Sequence, residues 1–416
     1  MSHVSGSFAL AALAVLSVSA AAPAAPAPGG PPSSDVTIVS EAANRFAFNL
    51  YGQLKGGGGN LFFSPQSIST ALAMTWAGAR GETAAQMAKT LQLPADRVEK
   101  PESIHAAYAK LLTGLSGTRE KQGYELSVAN ALWGQKGYAW LPDFLGVVKT
   151  NYGAGLEEVN FAGDTEGARQ TINAWVEKET REKIKDLIPQ GILTSLTRLV
   201  LTNAIYFKGD WANAFNKAHT RDEDFFAAAG RAVKVPMMRQ TAQFGYCDGG
   251  DLQVIEMTYK GDALSMVVLL PKARDGLAAI EKTLSAETVA GYTAKLSRHN
   301  VQVEMPKFKV TGQFMLKEPL AAMGMRLAFD IGGNADLSGM NGRQDLFIAA
   351  VVHKAFVDVN EEGTEAAAAT GVVVGLRSAR PEPIPVFRAD HPFLFLIRDN
   401  KSGCILFMGR LANPKE

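Results

Sequence analysis

The sequence predicts an α+β fold, and two observations support that prediction. Up to about Thr180, most segments carry one apolar face at helical spacing, whereas strand-like apolar runs predominate afterwards. Helices followed by mostly antiparallel strands are typical of the α+β class. No internal repeat is visible, and 416 residues, of which 47% are hydrophobic and 20% charged, can bury a large core.

The expected helices are marked by apolar stripes and by capping residues. Ala43, Phe46 and Leu50 share one face of the first helix, and Ser64-Pro65 provides an N-cap and a first-turn proline for the second. We expect helices at residues 40–54, 66–77, 82–91, 103–115, 142–151, 165–180, 277–284, 286–295 and 315–323.

The expected strands are dominated by one nearly unbroken apolar run, residues 199–207. Such a run is typical of a central strand that is buried on both faces of its sheet. We expect strands at residues 60–63, 126–133, 199–207, 234–238, 243–246, 252–257, 264–270, 301–308, 393–397 and 405–411.

The N-terminus resembles an export signal. Residues 8–22 are apolar and end in alanines, and residues 23–34 are rich in Pro, Gly, Ala and Ser. We expect a signal peptide at residues 1–22, a disordered leader at 23–36 and a secreted or extracytoplasmic protein. The alternative is a disordered Ala/Pro tail. The apolar run is too short for a membrane span.

Composition argues against several classes of partner. The net charge of +1 gives no reason to expect nucleic acid or an anionic membrane. Two cysteines, Cys247 and Cys404, are too few for a disulfide framework and are expected to be buried thiols. The alanine-rich sequence with two cysteines favours a bacterial source.

Catalytic and metal-binding motifs are missing from the sequence. There is no Walker loop, H-E-x-x-H, C-x-x-C or G-x-S-x-G motif, and the six histidines show no metal-ligand spacing. We therefore expect no enzyme, no metal and no cofactor. A Ser-His-Asp triad stays open because its members meet only in space. His353, placed before a strand, is expected to be a core histidine.

One stretch near the C-terminus, residues 361–378, fits neither a helix nor an ordinary loop. Four consecutive alanines favour a helix, but three glycines and three valines oppose one. With a period of two over residues 364–376, one face is small or apolar and the single charge of that range, Glu365, points outward. The stretch is therefore predicted to be a strand without a partner, and a single basic residue, Arg377, lies near its end.

This stretch and eight further motifs resemble the serpin family. They are EEGTEAAAAT at 361–370, NLFFSPQSIS at 60–69, GARGET at 78–83, TNAIYFKGDW at 202–211, MPKF at 305–308, ADLSGM at 335–340, HKAF at 353–356, HPFLFLI at 391–397 and ILFMGR at 405–410, with Asn413-Pro414 after them. Family members often have glycine where this chain has Glu182, a departure expected to matter only at that helix end.

The resemblance implies a serpin fold at residues 37–416, with helices, three β-sheets and a mobile, exposed reactive loop at 361–385. It also implies three groups of residues, named here as in the family. The hinge is Glu361, Glu362, Gly363, Thr364, Glu365, Ala366, Ala367, Ala368, Ala369 and Thr370. The shutter is Ser64, Ser67, Asn203 and His353, and the breach is Trp211, Lys307 and Glu361. The alternative for both clusters is plain core structure.

The implied function is inhibition of a serine protease as a suicide substrate, by a monomer. In inhibitory members the hinge glutamate and the scissile residue span 17 residues, a count that runs here from Glu361 to Arg377, with Ser378 after the cut. An arginine bait implies a trypsin-like protease, held as a covalent complex. Leu376 or the 372–374 valines are the alternatives, and Arg380 is a poor rival because Pro381 follows it.

Two other readings stay open. A serpin-fold carrier or chaperone that does not inhibit is the second hypothesis, although the small hinge residues argue against it. A hydrolase with an unrecognised triad is the third.

Overall fold

The computed structural model describes residues 34–116, 123–227, 232–364 and 383–416. In chain order, the helices α1 to α11 are Ser34–Leu54, Pro65–Trp76, Gly81–Thr90, Ala95–Val98, Pro101–Leu115, Pro142–Tyr152, Thr165–Glu179, Leu277–Thr283, Ala286–Thr293, Lys317–Ala322 and Ser338–Asn341. Short 3-10 turns occupy Lys55–Gly57, Lys217–His219 and Leu327–Phe329.

The strands β1 to β15 follow the same convention. They are Leu61–Phe63, Tyr124–Gln135, Leu156–Val159, Leu199–Asp210, Arg221–Phe226, Ala232–Asp248, Leu252–Thr258, Leu264–Pro271, Ser297–Pro306, Phe308–Met315, Ala350–Asn360, Gly363–Thr364, Val386–Arg388, Phe393–Asp399 and Ile405–Leu411.

The start of the first helix differs from the sequence-based prediction. Helix α1 begins at Ser34, so residues 34–36 of the expected leader are helical. The apolar face extends back to the fully buried Val39, and Asp35 lies 3.4 Å from the Arg97 guanidinium. These contacts stabilise the first turn of α1, whose sequence has no strong apolar pattern.

Two further predictions were wrong around residues 301–323. Phe308 does not end a strand but begins β10, and Met315 ends β10 and does not start a helix. The chain turns at Lys307, whose backbone N–H donates to Pro236 O at 2.9 Å. His353 likewise lies within β11, where the sequence placed it before a strand.

The described strands form two hydrogen-bonded sheets, where the resemblance implied three. One has nine strands, in the order β1-β15-β14-β8-β7-β6-β9-β13 with β5 beside β6, and the other has six, in the order β10-β11-β12-β4-β2-β3. The count differs because β6 is 17 residues long. It pairs successively with β5, β9 and β7, so strands on either side of it join one ladder network.

Strand β4 runs through the middle of the six-stranded sheet, as predicted, and is buried along nearly its whole length. It pairs in parallel with β11 over seven residue pairs, from Val200–Ala350 to Tyr206–Phe356. We call these pairs the β4–β11 junction. One core cluster packs against Ile205 and Ala355, and a second, around α7, packs against Val200 and Val352. Both faces of the junction are therefore covered, which explains the unbroken apolar run.

The end of α7 carries local backbone strain. Arg181 and Glu182 have φ angles of 51° and 60°, in the left-handed region that glycine favours. The Glu182 N–H donates to Glu177 O at 2.7 Å, a bond that any residue at this position can make.

We expect Glu182→Gly to raise the free energy of unfolding by about 0.5–1 kcal/mol, because glycine relieves left-handed strain worth ~1–2 kcal/mol and loses part of that gain through its larger unfolded-state entropy. Urea unfolding of the variant measures the change. Lys178→Gly, within α7, is the matched control and should destabilise by about 1 kcal/mol. Equal destabilisation by both substitutions contradicts the strain argument.

Candidate functional site

The first hinge residues enter the six-stranded sheet at the open end of the β4–β11 junction. Gly363 and Thr364 form β12, which is antiparallel to both neighbours: Thr364 pairs with Val359 of β11 and with Gly209 of β4. The expected exposed loop at 361–385 is therefore wrong for its first residues, because Glu361 and Gly363 are buried. At this end β12 separates β4 from β11, and farther along the sheet these two strands pair directly.

Gly363 fits this position because of its missing side chain. Its φ is +146°, and a Cβ atom there would lie 2.1 Å from Gly209 O and 2.6 Å from the Asp210 Cα. Neither of these contacts can be relieved by a side-chain rotation, since both are with backbone. The sequence therefore has glycine where β12 lies closest against the end of β4.

The breach residues meet directly above β12. Lys307 Nζ lies 2.9 Å from Glu361 Oε2, and the Thr220 hydroxyl donates to Glu361 Oε1 at 2.8 Å. The side chain of Glu361 is 4% exposed. Burial by itself raises the pKa of Glu361, but hydrogen bonds from Lys307 and Thr220 hold the pKa below its usual value, so the carboxylate stays charged. The predicted pair is thus formed, and Thr220 joins it.

Trp211 holds the backbone of the same turn. Its indole Nε1–H donates to Asn360 O at 3.0 Å, its backbone N–H donates to Glu362 O at 2.9 Å, and its ring stacks on Tyr259 with centroids 4.6 Å apart. The indole is 1% exposed. The same contacts therefore make Trp211 part of the buried core and an anchor for the turn at the breach.

Glu362 is tied to the other side of the turn. Its carboxylate pairs with Lys217 of the 3-10 turn, and its N–H donates to Asn360 Oδ1 at 3.1 Å. The Lys217 contact could not be predicted from local sequence, because the two residues lie 145 positions apart. The root of the hinge is consequently fixed by two ion pairs.

The shutter residues meet where α2 begins beneath the junction. Ser64 caps α2: its Oγ accepts the Ser67 N–H at 3.3 Å and donates to Leu406 O at 2.6 Å. The Asn203 amide donates to Ser67 Oγ at 2.7 Å, and His353 Nδ1 is bonded to Asn203 Oδ1. All four predicted residues are fully buried and share one network.

Sequence reasoning missed a fifth member, Asn130 of β2. Its Oδ1 accepts from Ser67 Oγ at 3.0 Å and from the Asn203 amide. Strand register places Asn130, Asn203, His353 and Phe314 in one row across β2, β4, β11 and β10. The only available signal was the polar Asn130 in the predicted strand at 126–133. The Asn203–His353 bond crosses the β4–β11 junction.

The proton positions on His353 follow from its partners. The Ser64 backbone N–H donates to Nε2 at 3.1 Å, so Nε2 is an acceptor and the proton lies on Nδ1, facing Asn203. Burial lowers the pKa of His353 to about 3, which keeps the ring neutral at pH 7. The network is fully paired only while this ring is uncharged.

The remaining predicted site residues lie outside the described part of the chain. These are the hinge residues Glu365 to Thr370 and the proposed scissile pair, Arg377 and Ser378. Within the described ranges no group of three or more His, Cys, Asp and Glu residues could hold a metal ion. No helix among the described residues has the length and apolarity needed to cross a membrane.

The described histidine that pairs with a carboxylate is not arranged for catalysis. His391 Nδ1 lies 2.7 Å from Asp390 Oδ1, and its Nε2 lies 2.7 Å from Pro271 O. Both ring nitrogens are occupied, so His391 has none left to activate a serine. His353 contacts Ser64 through the backbone N–H and not the hydroxyl.

We expect His353 to make the fold acid-sensitive. Its pKa is about 3 when folded and about 6.5 when unfolded, so its stabilising contribution is complete above pH 6.5 and is lost as the pH falls towards 3. Urea unfolding of wild type and His353→Gln at pH 7, 6, 5 and 4 should show wild type losing about 3 kcal/mol more than the variant over this range. Parallel pH profiles contradict the assignment.

Comparison with known proteins places the whole described architecture in one family. The family model described as serpin, serine protease inhibitor, matches residues 41–414. Human Serpin B3 is 42% identical over 392 residues, covering 90% of this chain and 99% of that protein. The bovine leukocyte elastase inhibitor is 45% identical over 386 residues, covering 90% and 99%.

Solved structures agree. Uncleaved ovalbumin superposes with a TM-score of 0.80 at 30% identity, covering 90% of this chain and all of that one. Human thyroxine-binding globulin, in its complex with thyroxine, gives a TM-score of 0.83 at 32% identity, covering 92% of this chain and 100% of that one. With the family model and these relatives spanning nearly all of it, the chain belongs to the serpins, the family of serine protease inhibitors.

Proposed function

We propose that this serpin inhibits a trypsin-like protease as a suicide substrate, by inserting its cleaved loop at the β4–β11 junction. The observation that supports this most is the position of β12. Its two residues already pair with both β4 and β11, in the orientation that a longer inserted strand would take. Cleavage beyond the hinge would free the following residues to continue the same ladder.

The register of β12 makes the proposed insertion specific. If each later residue advances one row, Ala368 meets Ala355 and Ile205, and Thr370 meets His353 and Asn203. Ala366 and Ala368 would thus fall on fully buried apolar rows, and the hydroxyl of Thr370 would fall on the polar row of the shutter. There it could replace the Asn203–His353 bond that insertion breaks.

The energetics favour insertion once the loop is cut. Thr364 to Arg377 span 14 residues, or about 46 Å at ~3.3 Å per residue. Insertion would break the seven direct pairs between β4 and β11 and would form two longer ladders, one with each of these strands. Each added hydrogen bond contributes about 1 kcal/mol net. The uninserted form is then held kinetically and is not the most stable one.

We place the scissile bond between Arg377 and Ser378, as the spacing from Glu361 implies. An arginine suits a primary pocket that holds a carboxylate. Similar relatives are named as elastase inhibitors, so the Val372–Val374 run and Leu376 are the alternatives that a test must separate.

Incubation with trypsin should give a covalent complex that survives boiling in detergent, and sequencing of the released C-terminal peptide should begin at Ser378. Arg377→Ala should slow complex formation about 100-fold, since removing one partner of a buried charge pair costs ~3 kcal/mol. Arg380→Ala is the matched control and should act like wild type. If the protein forms a complex with elastase and Arg377→Ala does not change its rate of formation, the scissile residue is one of the 372–374 valines or Leu376.

Insertion itself is tested by placing a charge on its inward face. Ala368→Arg should convert the inhibitor into a plain substrate, because an unpaired arginine would be buried between Ala355 and Ile205. Glu365→Arg introduces the same side chain on the outward face and should keep an inhibitory stoichiometry near that of wild type. If Ala368→Arg inhibits normally, the register or the mechanism is wrong.

A carrier or chaperone role is the alternative outcome. Thyroxine-binding globulin, a structure of similar fold, is complexed with thyroxine. Loop cleavage by every protease tried, with no complex, would favour such a role here. The alanine run of the hinge supports inhibition, because bulky or charged residues there would hinder insertion.

We also propose that the protein is exported, from the apolar run at residues 8–22 and the Ala/Pro-rich stretch that follows it. N-terminal sequencing of protein from the medium or periplasm tests this. An intact Met1 on protein confined to the cytoplasm would refute export.

A further inference from the structure

A pocket of about 410 Å³ opens beside α2, well inside the size range of small-molecule sites. It is separate from the residues that carry the proposed inhibition. Its lining comes from α2, α3, α4, α5 and α6 and from the turn between α2 and α3. Arg80, Glu102 and His105 are its charged or polar lining residues, and Trp76, Val98 and Val147 are among its apolar ones.

The walls of this pocket are mainly apolar. Val98, Pro101 and Val147 lie partly exposed around the 5% exposed ring of Trp76. The Trp76 Nε1–H donates to Ala84 O at 3.1 Å, so the indole is fixed and its one donor is used. The small exposed part of the ring therefore contributes apolar surface, and no hydrogen-bond donor, to the pocket.

His105 supplies a hydrogen-bond donor within this apolar lining. It is 4% exposed, and its Nδ1 lies 2.6 Å from the hydroxyl of Tyr152. Burial raises the pKa of Tyr152, so the hydroxyl keeps its proton, and in the described part of the chain Nδ1 is its one hydrogen-bond partner. A buried hydroxyl that donated nowhere would be costly, so Tyr152 donates to Nδ1.

The ring of His105 then carries its own proton on Nε2. Burial lowers the pKa of His105 to about 4, so the ring is neutral near pH 7 and holds one proton. No protein acceptor for Nε2–H occurs among the described residues. Because His105 lines the pocket, this donor is left for a ligand or for solvent there.

The rim adds one positive and one negative group. Arg80 Nη1 donates to Ala77 O at 3.0 Å and to Ala79 O at 2.7 Å, and its guanidinium lies against Gly339, where a Cβ atom would come within 2.4 Å of it. The group is thus held in place while the residue is exposed. Glu102, also exposed, disfavours a second negative charge on any ligand.

We propose that this pocket binds a small monocarboxylate with an apolar body, which packs on Trp76 while its carboxylate accepts from the Arg80 and His105 donors. The two donors favour an acceptor over a cation, and the carboxylate of Glu102 favours a monoanion over a dianion. The apolar walls favour a ligand whose remaining part is apolar. The site is independent of protease inhibition.

Calorimetry with 4-phenylbutyrate, and with 4-phenylbutanol as its uncharged counterpart, tests the proposal on the full-length protein. We expect saturable one-to-one binding of the acid and at least about 10-fold weaker binding of the alcohol, as for the loss of one charge-assisted contact. Arg80→Gln should weaken the acid about 10-fold and leave the alcohol unchanged. Equal binding of acid and alcohol would overturn the assignment of the donors.

Filling the pocket locates the site. Ala84→Trp, at a half-buried lining position, should weaken the acid at least about 10-fold, whereas Ala85→Trp, exposed on the same helix, should leave it unchanged. Val98→Trp, at another lining position, is the replacement test if Ala84→Trp does not fold. Unchanged binding in a folded, filled variant would overturn the proposal, as would no binding of the acid to wild type.

Discussion

The parallel ladder between β4 and β11 is the interaction on which the rest of the structure depends. It closes the middle of the six-stranded sheet, both of its faces are covered by core, and one polar row crosses it. Its upper end is held open by the two residues of β12. A parallel pairing of only seven rows between two long strands is a weak closure, because each row contributes little net free energy.

The charged groups around the open end fix the first residues of the hinge. Glu361 and Glu362 are held by Lys307 and Lys217, and the backbone between Asn360 and Glu362 is bonded to Trp211. Without Lys307, the buried carboxylate of Glu361 would have no opposite charge beside it and would keep the Thr220 hydroxyl as its side-chain donor, so the ion pair specifies geometry more than it adds stability.

The sequence was most informative where one local rule dominated. The apolar run of β4 and the Ser-Pro start of α2 were predicted correctly, since burial and capping act within a few residues. Strands β10 and β11 were missed because Gly312 and polar residues interrupt their patterns, and tertiary pairing fixes them. The shutter and breach residues came from the family resemblance. Neither the local sequence rules nor the family resemblance identified Asn130, because only strand register brings it beside Asn203.

The pairing of β1 with β15 has a consequence for biosynthesis. Leu61 lies opposite Arg410, and the Ser64 hydroxyl donates to Leu406 O, 342 positions later in the chain, so the N-cap of α2 needs a strand that is synthesised long after the helix. At ~5–20 residues per second, the ribosome takes about 20–70 s to add the intervening residues. During that time α2 exists without the strand that completes its N-terminal contacts. The network around Ser64 can therefore form only after β15 has been made, which makes a local helix cap depend on long-range assembly.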